Sequence, residues 1–250
     1  MKASSVILDA LKDIDNTGTL EAEKKMTLHA GQDIRMTTGT HREENGQGHT
    51  TAISKRGAAS VTGKEGSLTM TAGKDIRLTA AENRKTTEGN SRSKGAGITA
   101  SFGIGGLQNV GISAGKSKGN MEEEIITHTG SAVTAKETLA MESGKDIDIK
   151  GSKAGGKKVE VKTGNNLSIE SLQDSHTYHS RDKESGIHLQ RDITARPDTG
   201  KKKMDDPYFS IGKKTDTTDS TYESVTKQAG IYAGQEGYDI QVKNNTRLKG

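Results

Sequence analysis

The chain has 250 residues, of which 37 are basic and 33 are acidic, so its formal net charge is only +4. Leu, Ile, Val and Phe together supply 40 residues and there is no Trp, which argues against the packed core of a globular enzyme. The near balance of charges argues against disorder, whereas a stacked repeat needs only a few inward side chains in each coil. The chain contains no cysteine, so disulfides are excluded.

The basic residues are spread along the chain and are not gathered into one cluster. The one basic run, 201–203, is followed directly by Asp205 and Asp206. Because a nucleic-acid site needs basic residues collected on one face, we expect no nucleic-acid partner. Residues 1–30 show no signal peptide, since the apolar run 6–8 is too short for one, and no stretch is long and apolar enough for a membrane span.

At the N-terminus, the apolar residues Ile7, Leu8, Leu11 and Ile14 fit two interpretations. They could form one amphipathic helix of three turns, or the first coil of a β repeat. We favour the coil, because it places Ile14 in register with the repeats that follow, and the helix remains the alternative.

A short phrase of the type Ala-Gly-x-Asp-Ile recurs along the chain between runs of alternating apolar and polar residues. Alternation with period two predicts a strand with one buried face, so each copy is interpreted as strand, corner, strand. At the corner, Gly is expected to supply a positive φ, and Asp is expected to bond its own nearby backbone and hold the turn. The copies are 30–34, 72–76 and 143–147, with a looser copy at 163–167.

The spacing of the copies predicts the architecture. Ile14 lies 20 residues before Ile34, and Ile147 lies 20 residues before Leu167. About twenty residues make one coil of a parallel β-solenoid, in which coils stack at the interstrand distance. We therefore predict an all-β fold, a right-handed parallel β-helix that forms a single elongated domain over residues 1–250. The last copy, 231–240, is interpreted as a variant coil with a longer corner before Ile240.

Three long polar segments interrupt the repeat, at about 39–58, 82–128 and 173–226. We interpret them as β-hairpin or loop excursions from the solenoid. In the middle segment, apolar and small polar residues alternate on both sides of Gly105-Gly106, which predicts a β-hairpin with a glycine-rich loop. A flexible loop is the alternative there, and the third segment, which contains Pro197 and Pro207, is the least regular.

Candidate chemical sites are few. The nearest approach to a metal cluster is His176, Tyr178, His179 and His188, but the stretch offers no recognised ligand spacing. The segment 103–106 resembles a dinucleotide loop only in part, since the required third glycine is replaced by Gln108. We therefore predict no catalytic, cofactor-binding or metal-binding residue, and we expect no enzyme activity and no cofactor. The acidic residues in register at the corners are interpreted as turn formers; they are Asp13, Asp33, Asp75 and Asp146.

The corner phrase, preceded by Leu-Thr-Met-Thr at 68–71 and followed by Arg-Leu-Thr-Ala at 77–80, resembles the haemagglutinin repeats of filamentous-haemagglutinin-type exoproteins. Bacteria export these proteins by two-partner secretion, and they include the large toxins of contact-dependent growth inhibition. Segment 91–112 resembles the glycine-rich insert of that family, 159–174 its repeat ending, and 228–250 the coil that closes the region.

This resemblance implies a β-helical filament outside the cell or on its surface, acting in adhesion or in delivery of a C-terminal toxin to neighbouring cells. It implies a target-cell surface or outer membrane as partner, and an outer-membrane transporter only within a longer exoprotein. The chain shows neither the family's N-terminal secretion domain nor its toxin module, so an internal or truncated segment is expected. A passive stalk, a non-functional fragment and, less favoured, a polysaccharide-processing β-helix are the alternatives.

Overall fold

The computed structural model describes residues 2–46, 48–103, 106–195 and 202–250, and within these ranges the regular secondary structure is entirely β. The predicted all-β class is therefore confirmed, and the N-terminal segment is strand rather than helix. None of the described residues forms a helix with the length and hydropathy that a membrane span requires. The strands are β1 (Lys2–Ala10), β2 (Ile14–Asn16), β3 (Thr19–Ala30), β4 (Ile34–Thr37), β5 (Gly39–Asn45), β6 (Gly48–Lys55), β7 (Ala58–Val61), β8 (Ser67–Ala72), β9 (Ile76–Thr79), β10 (Ala81–Gly103), β11 (Gly106–Thr129), β12 (Ala132–Ala135), β13 (Thr138–Ser143), β14 (Ile147–Lys150), β15 (Lys153–Thr163), β16 (Leu167–Glu170), β17 (Asp174–Ala195), β18 (Lys202–Met204), β19 (Tyr208–Ser224), β20 (Gly230–Val242) and β21 (Thr246–Lys249).

The chain divides into two compact units, the repeat unit and the excursion unit. The repeat unit comprises 1–85, 124–176 and 222–250, and the excursion unit comprises 86–123 and 177–221. In the repeat unit, six parallel strands form one sheet in the order β2-β4-β9-β14-β16-β21. Strands that are far apart in sequence thus lie side by side, which is the arrangement that a stacked repeat produces.

The remaining parallel strands of the repeat unit form two further stacks. The first half of β3 pairs with β7, and its second half pairs with β8, so this single strand belongs to both stacks. Strand β15 does the same with β12 and β13. These shared strands join β3, β7, β12, β15, β13 and β8 into a closed ring of parallel pairings. One pass of the chain through the three stacks is called a coil below.

The register of the stacks places like residues on like residues. Ile34 pairs with Ile76, Ile76 with Ile147, and Ile147 with Leu167. All four side chains are at most 2 % exposed. Burying one such side chain contributes about 1.5–3 kcal/mol, so these ladders account for a stable core despite the low apolar content. The predicted register of Ile14 with Ile34 is also observed.

The last corner differs from the prediction. Ile240 was placed after the corner, but it pairs with Val161, which precedes the corner of its own coil. The corner lies instead at 243–245, and Thr246 follows it in register with Leu167. The sequence reasoning was misled because Gly237-Tyr238-Asp239-Ile240 imitates the repeat phrase, whereas the true corner has no glycine.

The excursion segments are built from antiparallel strands. Strands β5 and β6 form an antiparallel pair, with Thr40 opposite Ile53. In the excursion unit, β10 is a neighbour of β11, β11 of β17, and β17 of β19. Along β10 and β11 one residue number rises as the other falls, since Gly89 lies against Met121 and Gly97 against Ser113. Gly105 of the predicted hairpin loop, like Pro197, lies outside the described residues.

Candidate functional site

The corner carboxylates, the acidic residues that recur in the sequence, lie above one another at one edge of the stacked coils. In each case the backbone N–H of one corner residue donates to the side-chain oxygen of its counterpart in the preceding coil. The side chain therefore bonds the neighbouring coil, whereas we had expected it to bond its own turn. The bonds run from Asp33 N to Asp13 Oδ1 (3.0 Å), Asp75 N to Asp33 Oδ1 (3.2 Å), Asp146 N to Asp75 Oδ1 (3.1 Å), Asn166 N to Asp146 Oδ1 (3.0 Å) and Asn245 N to Asn166 Oδ1 (3.2 Å).

Two arginines pair with three of the four corner carboxylates, Asp13, Asp33 and Asp75. Arg35 pairs with Asp15 at 3.1 Å and with Asp13 at 3.5 Å, and it also contacts Asp33. The hydrogen bond that Arg35 donates to Asp15 raises the pKa of Arg35, which burial alone would lower. A stack of like charges would repel, so the arginines are what allow carboxylates to recur from coil to coil.

Arg77 repeats the arrangement in the next coil. It pairs with Asp75 at 2.6 Å and lies 3.7 Å from Asp148. Burial raises the pKa of Asp148, and the charge of Arg77 opposes that rise. Asp75 thus accepts a backbone bond and pairs with an arginine, whereas Asp146 accepts bonds from Asn165 and Asn166 instead. These contacts give the corner carboxylates a structural role.

The corner glycines also act differently from the prediction. No corner glycine has a positive φ; among the described residues only Gly151 and Gly237 do. Space is the reason for glycine instead. A Cβ on Gly73 would lie 2.3 Å from the carbonyl oxygen of Gly31, and one on Gly144 would lie 2.2 Å from that of Gly73. The coils therefore approach so closely at the corner that no side chain fits between them.

A second cluster lies where the chain enters and leaves the excursions, with His128 on β11, Asp174 on β17 and Thr226 just after β19. We call these three residues the neck cluster. The backbone N–H of His128 donates to Asp174 Oδ1 at 2.8 Å, and His128 Nδ1 lies 3.1 Å from the same oxygen. The Thr226 hydroxyl donates to the other carboxylate oxygen. Burial raises the pKa of Asp174, but the bonds from Thr226 and His128 outweigh it, so the pKa is lowered overall.

Sequence reasoning missed the neck cluster, because its members lie 46 and 52 residues apart and follow no motif. The long strands that bring them together begin and end at the excursion boundaries. In the sequence, the excursion boundaries were the only signal that could have pointed to this cluster.

The histidines that resembled a metal cluster are not brought together. His176, Tyr178, His179 and His188 all lie on β17. An extended strand rises about 3.3 Å per residue, so His179 and His188 are about 30 Å apart along it. His179 pairs with Asp219, and His188 Nε2 lies 3.2 Å from Gln190 Oε1. Among the described residues, no group of three or more His, Asp or Glu side chains is placed to hold a metal ion. Within 103–106, positions 104 and 105 lie outside the described residues.

Comparison with known proteins finds several relatives that share the name CdiA. The chain is 35 % identical over 233 residues to a protein named Toxin CdiA from Escherichia coli, and 32 % identical over 226 residues to one named tRNA nuclease CdiA from Yersinia mollaretii. It is 29 % identical over 231 residues to one named Deoxyribonuclease CdiA from Dickeya dadantii. Each alignment covers 90 % of this chain, but only 7 %, 7 % and 6 % of the respective relative.

The chain therefore spans a small part of the length of these relatives. No solved structure matches it. A family model described as Hemagglutinin repeat matches residues 51–186, which is more than half of the chain. This match includes three of the stacked corners, at 72–76, 143–147 and 163–167, and the whole of strands β10 and β11. The chain belongs to the hemagglutinin-repeat family.

Proposed function

We propose that this chain is a non-enzymatic, right-handed parallel β-helical segment of a secreted or cell-surface bacterial exoprotein of two-partner secretion. The observation that carries the proposal is the unbroken ladder of corner bonds from Asp13 to Asn245. A ladder in which every coil bonds the next can be extended by adding coils, which suits a filament. We further propose that residues 1–250 belong to one haemagglutinin-repeat domain, in which the segments at about 39–58, 82–128 and 173–226 are excursions from the stacked repeat.

The role we propose is adhesion, or delivery of a C-terminal toxin carried by a longer exoprotein, at the surface or outer membrane of a target cell. Support comes from the relatives, whose names are those of toxins and nucleases, and of which the chain matches only about 7 %. We place their nuclease activity outside the matched segment. An outer-membrane transporter is then a partner of the longer exoprotein during export.

The corner carboxylates support the non-enzymatic part of the proposal. Catalysis by a β-helical polysaccharide hydrolase needs two carboxylates that are free to act on one glycosidic bond. Here Asp33 and Asp75 are only 8 % and 9 % exposed, and both accept a backbone hydrogen bond and pair with an arginine. A depolymerisation assay on bacterial polysaccharides tests this point, and product release would refute it.

Binding to outer-membrane vesicles separates an active surface segment from a passive stalk. We expect the purified 250-residue chain to co-sediment with vesicles shed from Gram-negative bacteria, and a passive stalk to remain in the supernatant. A crystal structure tests the handedness of the coil, and a left-handed or discontinuous path would overturn the β-helix.

A further inference from the structure

The excursion unit contains an open trough, which we define by residues 92–98 of β10, 112–118 of β11, 183–189 of β17 and 209–213 of β19. Three depressions of about 540, 450 and 500 Å³ lie along it. The first two share Lys94, Lys116 and Lys213, and the last two share Ala114 and Ile187. Because neighbouring depressions share lining residues from the same strands, they form one continuous trough.

The two ends of the trough differ in chemistry on a single sheet face. Side chains alternate between faces along a strand, so residues two apart point the same way. On β10, Arg92 and Lys94 therefore face the same side as Ile98. On β11, Ile112 likewise faces the same side as Lys116. The same alternation on β17 and β19 gives this face a basic end and an apolar end.

Six cations line the basic end, and one carboxylate, that of Glu184, lines it with them. All six are exposed, and the ion pairs among the described residues of this unit, His179–Asp219 and Lys214–Asp216, include none of them. This differs from the acidic ladder of the repeat unit, where both arginines are paired. Six cations beside one carboxylate leave this end of the trough with a net positive charge, which attracts an anion and raises its local concentration. The six are Arg92, Lys94, Lys116, Lys118, Lys183 and Lys213.

The apolar end is exposed to an extent that folding does not explain. Ile98 is 85 % exposed, Ile112 is 54 % exposed and Ile187 is 50 % exposed. The chain has only 2 Phe, and both lie in this unit, with Phe102 74 % exposed and Phe209 57 % exposed. A contiguous exposed apolar patch beside charged residues marks a binding surface for another molecule.

We propose that the trough binds a phosphate-bearing acyl lipid in a bilayer surface, with the phosphate at the basic end and the acyl chain along the apolar end. A free anion leaves the isoleucines and Phe209 without a partner, and an apolar peptide leaves six cations without one. A lipid of this class satisfies both ends at once. Basic residues beside apolar ones give this combined attraction to anionic membranes. The proposal deepens the proposed function, since it rests on placing the chain at a membrane.

The test is flotation of the purified full chain with vesicles of phosphatidylcholine alone or of phosphatidylcholine and phosphatidylglycerol in equal parts. We expect the chain to bind the mixed vesicles and to bind the neutral ones at least about tenfold more weakly. The variant K94E/K116E should lose at least about tenfold in affinity for the mixed vesicles. Its matched control is K24E/K136E, which changes the net charge equally at two exposed lysines of the repeat unit.

A second variant, I98S/I112S, probes the apolar end, and we expect it to weaken binding to the mixed vesicles although all six cations remain. Folding of every variant is checked by circular dichroism and by its melting temperature. Equal loss in K94E/K116E and in K24E/K136E would overturn the proposal, because binding would then follow net charge alone. Unchanged binding of I98S/I112S, or full displacement of the vesicles by millimolar inorganic phosphate, would reduce the trough to a simple anion site.

The outcomes also separate this proposal from the proposed function. A chain that binds outer-membrane vesicles but not phosphatidylglycerol vesicles keeps the function and loses the lipid site. A chain that binds phosphatidylglycerol vesicles through the trough but ignores outer-membrane vesicles keeps the lipid site and loses the function.

Discussion

Gly144→Ala should destabilise the repeat unit because of the space between coils. The new Cβ would lie 2.2 Å from the carbonyl oxygen of Gly73, whereas ordinary contact begins at 3.4 Å, so the coils must separate locally by about 1.2 Å. That movement stretches the bond from Gly144 N to Ala72 O, now 2.9 Å. Overpacking costs about 1–3 kcal/mol and a weakened backbone bond about 1 kcal/mol. We expect a loss of about 2–4 kcal/mol.

For a chain of this size, such a loss lowers the melting temperature by roughly 5–15 °C, which thermal unfolding followed by circular dichroism can measure. Gly18→Ala is the control, since a Cβ on Gly18 meets nothing closer than 3.9 Å. The control also corrects for the stiffer unfolded chain that any Gly→Ala change produces. Equal melting temperatures for the two variants would refute the reasoning.

Asparagine separates lack of space from backbone conformation as the reason for a glycine. Gly144→Asn should be at least as harmful as Gly144→Ala, because Asn adds bulk at a position where φ is not positive. Gly237 is the reverse case, with a φ of 72° and no atom within 4 Å of an added Cβ. There Gly237→Asn should be tolerated better than Gly237→Ala, since Asn enters the left-handed region more readily. If Gly144→Asn were instead tolerated better than Gly144→Ala, the backbone conformation, and not lack of space, would be the reason for glycine at this position.

Three further predictions concern buried polar and apolar groups. Ile76→Asp places an unpaired charge at a fully buried position and should lower the free energy of unfolding, measured in urea, by about 3–5 kcal/mol. Ile7→Asp, at a position 73 % exposed, should lower it little, and equal effects of the two substitutions would contradict the inward assignment of Ile76. Asp174→Asn should cost about 1–3 kcal/mol at neutral pH. Because the folded pKa of Asp174 is lowered, its contribution is present above the unfolded pKa and is lost as pH falls through the folded value. The melting temperatures of wild type and D174N should therefore converge in acid, whereas the exposed control E65Q should match wild type at every pH. A difference between the melting temperatures of wild type and D174N that persists in strong acid would exclude the carboxylate as the cause. The buried Ser143 hydroxyl has no hydrogen-bonding partner among the described residues, so Ser143→Ala should stabilise the chain by about 1 kcal/mol. Ser131→Ala should destabilise it by a similar amount, since the Ser131 hydroxyl lies 2.9 Å from the carbonyl oxygens of both Met36 and Thr79. The two predictions would be refuted if Ser143→Ala and Ser131→Ala shifted the urea midpoint in the same direction.

The stacked strands could be predicted from the sequence because their pattern is local. Leu68, Met70, Ile76 and Leu78 alternate with polar residues, and all four are fully buried. The corner chemistry could not be predicted, because it depends on a second coil that is 20, 42 or 71 residues away. A single copy of the phrase indicates that Gly and Asp are required. Only the neighbouring coil shows why: there is no room for a side chain at the Gly position, and the Asp side chain bonds the next coil.

The last corner provides a natural check on the role of the glycines. At the four corners that have glycine, the glycine N–H bonds the preceding coil at 2.9 Å. At the last corner Lys243 occupies the corresponding position, and its N–H lies 3.3 Å from the carbonyl oxygen of Thr163. The bond is longer at the one corner where a side chain must fit between coils. Asn245 nevertheless continues the side-chain ladder, which explains how a corner without glycine still stacks.

The side chains of the excursion unit are constrained differently from those of the repeat unit, and this difference points to a binding surface. In the repeat unit, the inward side chains are constrained by their counterparts in the neighbouring coils, so the apolar ladders are buried, and both ladder arginines are paired. In the trough these constraints are absent, yet Phe209 and the isoleucines are exposed and six cations are unpaired. Exposed apolar residues reduce solubility, and clustered like charges repel one another. Since neither feature stabilises the unit itself, a partner with an anionic and an apolar part is the physical explanation that accounts for both.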